Sequence, residues 1–100
     1  MTIYNKIIKG FAIETINPET GEVEWWEYNK GKKISRESLL AFLPRLGWSY
    51  GDSLFLKEEG DLTRIYTDNL NYAIAVISTS LAKSLRREPY VFFIKEKTNC

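Results

Sequence analysis

Few side chains in this 100-residue chain could carry out acid–base or covalent chemistry, and the carboxylates are the main ones. The sequence has no histidine, which removes the commonest general base near neutral pH, the Ser-His and Cys-His nucleophile pairs and the usual zinc ligands. Its one cysteine, Cys100, is the last residue; it can form no disulfide within the chain, and a lone thiol fits a reducing compartment. No GxGxxG, P-loop, GxSxG or calcium-loop spacing occurs. A glycosidase-like pair needs only two acids at a suitable separation. Glu24 with Glu27, or Asp52 with Asp61, are the candidates, although acids in turns and hairpins are ordinarily solvated and idle. The sequence therefore reads as a protein without catalytic residues, metal or cofactor.

Binding is the stronger reading, and it centres on the stretch EVEWWEYN, Glu22 to Asn29. Neighbouring strand residues point to opposite faces, so Trp25 and Trp26 cannot share one. The run WWEYNKGKK continues into Lys30, Lys32 and Lys33. Aromatic faces beside lysines are how single strands of nucleic acid are held, with bases stacking and ammonium groups on phosphates. Glu22, Glu24 and Glu27 in the same hairpin oppose that use, and a net charge of +1 gives no concentrated basic footprint. Arg86 and Arg87, with Lys83, form a second basic group that could meet a phosphate but equally suits a helix C-terminus. The loop GWSYGD places Trp48 and Tyr50 between glycines, as a contact surface or, for Trp48, as a plug at the end of the core.

These residues need elements to position them. Ile3, Ile7, Phe11 and Ile13 fall on odd positions of a first strand reaching Ile16. Asn17-Pro18-Glu19-Thr20-Gly21 reads as a turn, and Glu22 to Asn29 as the returning strand. A four-residue loop, Pro18 to Gly21, sets Phe11 opposite Tyr28, Ile13 opposite Trp26 and Ile16 opposite Val23. The register one residue longer would oppose Glu14 to Glu24. The favoured register turns Trp26 and Tyr28 inward and leaves Trp25 outside with Val23, Ile16, Glu14 and Glu27.

Ser35 reads as the N-cap of a helix, with Ile34 and Leu39 as a hydrophobic staple, Pro44 stopping or kinking it and Gly47 closing it. A second hairpin pairs Leu54–Leu56 with Arg64–Tyr66 about a turn at Glu59-Gly60. Leu70, Ile74, Ile77, Leu81 and Leu85 have helical spacing, predicting a helix over 69–86 capped by Asp68. A last strand, 90–95, is apolar on both faces and reads as interior to the sheet.

The expectation is one α+β domain over residues 1–100, a two-layer sandwich in the order ββαββαβ, with a mainly antiparallel sheet of about five strands and both helices on one face. No apolar run approaches the roughly 20 residues a membrane-spanning helix requires, so a cytoplasmic location is expected. Functionally the chain reads as a protein-interaction module, an inhibitor or accessory subunit, binding through Trp25, Val23, Ile16 and Glu27, most simply to a second copy. Single-stranded nucleic acid held by Trp25 and the Lys30–Lys33 loop is the alternative, and a carboxylate-dependent enzyme the third reading.

Overall fold

The computed structural model describes residues 10–94; the expected strand positions before Gly10, Ile3 and Ile7 among them, and the expected last strand residue Lys95 lie outside the described residues. The elements run β1 (Phe11–Ile16), β2 (Val23–Tyr28), α1 (Arg36–Phe42), a 3-10 turn (Leu43–Leu46), β3 (Leu54–Glu59), β4 (Leu62–Tyr66), β5 (Ala75–Ser78), α2 (Thr79–Leu85) and β6 (Val91–Phe93). The six strands form one sheet ordered β2-β1-β5-β4-β3-β6. Every neighbouring pair is antiparallel except β3 with β6. This is an α+β fold, as expected, but the order among the described residues is ββαβββαβ, with six strands rather than about five.

The extra strand comes from the stretch that reads as one long helix. Ala73 to Ile77 is an unbroken buried run, and a short run of that kind fits a central strand buried on both faces as well as it fits a helix. β-Branched Ile74, Val76 and Ile77 favour the strand. β5 lies between β1 and β4, and the helix begins only at Thr79. Its N-cap is Ser78, whose hydroxyl accepts from Leu81 N–H at 3.2 Å, not Asp68. Leu70 therefore belongs to a connecting loop and is exposed.

Other local readings match. The first hairpin has the expected register, Phe11 with Tyr28, Ile13 with Trp26 and Ile16 with Val23. Asn17 closes its loop by donating to the Glu22 carbonyl at 2.8 Å, and its side-chain oxygen accepts from Glu19 N–H. Ser35 caps α1 by accepting from Ser38 N–H, with Ile34 and Leu39 both buried. Pro44 sits in the 3-10 turn, and Gly47 ends it in the left-handed conformation at φ 91°.

Leu39 and Leu43 from the first helical segment and Ala82 and Leu85 from α2 share one core with Phe11, Leu54, Leu56, Ile65 and Ile77. Both helices thus cover the same sheet face. Among the described residues β6 is a sheet edge, not the interior strand expected from its apolar residues: Val91 faces the core while Phe92 is 48% exposed on the other side. Phe92 instead lies near Phe55 of β3, ring centroids 5.9 Å apart.

Candidate interaction surface

The alternation of β2 sends Trp26 and Tyr28 to the helix-bearing face, as predicted, and Trp25 to the opposite, open face. Burial does not follow. Tyr28 packs between Phe42 and Phe11, with centroids at 4.4 and 4.8 Å. Trp26, two residues farther along a terminal strand, is 58% exposed. The expectation that Trp26 is a core residue is corrected: it faces the right side, but the aromatic cover from Phe42 meets the Phe11–Tyr28 row, and Trp26 lies beyond it. Its indole N–H donates to Thr15 Oγ1 at 2.8 Å across the hairpin, so the exposed ring is fixed in place.

Trp25 is half-buried, lying with Leu62 against Ala12 and Val76, which are fully covered. This shields the open face much as a lid would. Val23, two residues back on the same face, is 49% exposed. Glu27 sits opposite Ala12 and Glu14 opposite Trp25. Glu14 Oε2 and Glu27 Oε1 are sheltered from solvent without a hydrogen-bond partner among the described residues. Burial holds the Glu14 carboxyl above its ordinary range, while the Arg64 guanidinium pulls the other way. Of the expected partner-binding residues, Trp25, Val23 and Glu27 therefore lie together on the open side of β2; the Ile16 side chain lies outside what is described.

The carboxylate pairs do not assemble. Glu24 and Glu27 differ by an odd number of residues, so β2 puts them on opposite faces. Asp52 and Asp61 flank opposite ends of β3, roughly 20 Å apart for six extended residues. Glu14 and Glu27, which share the open face and each have a sheltered oxygen, were legible only as neighbours of Trp25 in the hairpin register. Among the described residues no group of three or more Cys, Asp or Glu could hold a metal ion.

Lys30, Lys32 and Lys33 are all exposed in the loop after β2, where Asn29 takes φ 55° and accepts from Lys32 N–H at 2.8 Å. The arginines are on another element. Arg86 caps the C-terminus of α2 and lies over the Phe93 ring at 4.7 Å, and Arg87 is exposed beside it. Trp48 is the core plug: it is 2% exposed, donates its indole N–H to the Asp52 carbonyl at 3.0 Å and packs on Tyr90. Tyr50 lies on the surface with its ring edge toward Trp48. The buried Tyr90 hydroxyl is pushed above its ordinary range by burial, with Tyr50 and Glu88 adding to the shift.

No helix among the described residues is long and apolar enough to cross a membrane. No family model matches the chain, and neither a search of curated proteins nor one of solved structures finds a match.

Proposed function

We propose that this chain is a non-enzymatic protein-interaction module that binds through its first hairpin, and that its simplest partner is a second copy of itself. The observation that carries this reading is the exposure of large apolar side chains on both faces of one terminal strand, Val23 on the open face and Trp26 on the helix-bearing face. Terminal strands are ordinarily blunted by charge or cover, because they invite pairing. A partner wrapping this edge meets Trp26 already fixed by Thr15, and a rigid tryptophan is a favoured contact residue. Trp25 supports the surface from beneath, packed on Ala12 and Val76.

Charge along the hairpin favours self-association. β2 begins after Glu22 with Glu24 near its start, and runs into Lys30, Lys32 and Lys33 at its end. Two copies set antiparallel along β2 place the acidic start of each beside the basic end of the other, under a two-fold axis. Sedimentation is expected to show a dimer that loosens with salt and is weakened by Val23→Lys and by Trp26→Ala, with the circular dichroism of each variant unchanged. A strictly monomeric protein at high concentration would overturn the self-pairing.

The exposed Trp26 ring, on the strand that leads into the lysine loop, also supports the second reading, a stacking platform for single-stranded nucleic acid, with Trp26 in the place expected of Trp25. Exposed Glu22 and Glu24 argue for weak, salt-sensitive binding at most. An oligonucleotide bound tightly at moderate salt, and lost in Trp26→Ala, would put this reading first.

A further inference from the structure

Among the described residues, Tyr50, Leu70 and Tyr72 are the large exposed apolar side chains outside β2 and β6; of these, Leu70 lines a cleft of about 550 Å³ between two loops. One loop follows the 3-10 turn and supplies Trp48 and Asp52; the other joins β4 to β5 and supplies Thr67, Asp68 and Leu70; Phe55 of β3 completes the lining. The volume falls within the roughly 300–1,000 Å³ of ordinary ligand clefts. Leu70, 53% exposed, lines this cleft instead of joining a core helix.

The lining is also electrostatically one-sided. Asp52 and Asp68 are its charged members, and no lysine or arginine among the described residues lines it. The loop orients Asp52 by donating Ser49 N–H to Oδ2 at 3.0 Å, and neither carboxylate forms an ion pair among the described residues. Walls of this kind attract a cation that carries apolar groups with it: the carboxylates accept from a guanidinium or ammonium while Leu70 and the aromatic side chains take the hydrocarbon. Leu70 on one loop and Phe55 on β3, both lining the cleft beside the two carboxylates, suit a basic side chain with apolar neighbours.

We infer that this cleft binds a peptide segment of a partner protein through an arginine or lysine side chain flanked by apolar residues. The site is separate from the β2 edge and does not depend on self-association. The test is a titration of the full chain, isotope-labelled for NMR, with the blocked tripeptide Leu-Arg-Leu and with its counterpart carrying neutral citrulline in place of arginine. Binding is expected to move the amide signals of Thr67, Asp68 and Leu70 and the indole N–H of Trp48, and to be at least about fivefold weaker for the citrulline peptide. Asp68→Asn, a change at an exposed side chain outside the core, is expected to weaken the arginine peptide about two- to fivefold, the scale of one exposed ion pair. Leu70→Ser is expected to weaken both peptides, and Trp26→Ala neither. Equal binding of the two peptides, signal changes confined to other regions, or no change up to millimolar peptide would overturn the inference.

Discussion

Trp26 and Trp48 make opposite use of the same side chain. The first stands in a regular strand, on the sheet face that carries both helices, and is largely exposed; the second stands in a loop flanked by glycines and is almost wholly buried. Secondary structure and facing direction do not explain this. Cover does. Trp48 folds back from the end of the 3-10 turn onto Tyr90, and the Asp52 carbonyl accepts its only polar hydrogen. Trp26 lies at the margin of the sheet, beyond the contact between Phe42 and the Phe11–Tyr28 row. A loop tryptophan can thus anchor the core while a strand tryptophan serves the surface.

The largest expected effect follows from the buried member. Trp48→Ala should destabilise the chain by about 3–5 kcal/mol through lost transfer energy and the cavity left under Tyr90, measured as a shift in urea midpoint. A loss below about 1 kcal/mol would mean that the loop collapses onto the gap and that burial alone does not make the anchor. On β2, Trp25→Ala should cost less, about 1–3 kcal/mol, because it uncovers Ala12 and Val76 but removes a ring that is only half-buried. Trp26→Ala should cost about 1 kcal/mol or less, the scale of its hydrogen bond to Thr15 and a surface ring. Equal losses at 25 and 26 would erase the distinction between a shielding and an exposed tryptophan.

The smallest effect sharpens the picture of the open face beside Trp25. Burial raises the Glu14 carboxyl above its ordinary range, so the folded chain binds this proton more readily than the unfolded chain. Its contribution to stability is complete below the ordinary carboxylate pKa and is lost as pH rises through the higher folded value. Glu14→Gln should flatten that decline when urea midpoints are compared between about pH 4 and 7. An unchanged pH profile would show that Arg64 cancels the effect of burial.

The turn of the first hairpin and the caps of the first helical segment were legible in the sequence because they are set by neighbours, whereas the cap of α2, Ser78 in place of the expected Asp68, was not. Asn17 to Gly21 fixes both the loop length and the hairpin register, and Ser35, Pro44 and Gly47 mark the start and end of the first helical segment. The faces of Trp25 and Trp26 followed from strand alternation together with the hairpin register. The absence of histidine and of nucleotide or calcium-loop spacing was equally plain. Three decisions were not local. Ala73 to Ile77 reads as helix or strand until β1 and β4 offer hydrogen bonds on both sides, as Glu14 N–H donates to Ile74 O and Ile74 N–H to Ile65 O. The sheet order that leaves β2 and β6 at the margins depends on pairings between residues far apart in the chain. The exposure of Trp26 and the cleft beside Leu70 depend on where helices and loops stop short, and alternation gives a side chain its direction but not the atoms that will lie over it.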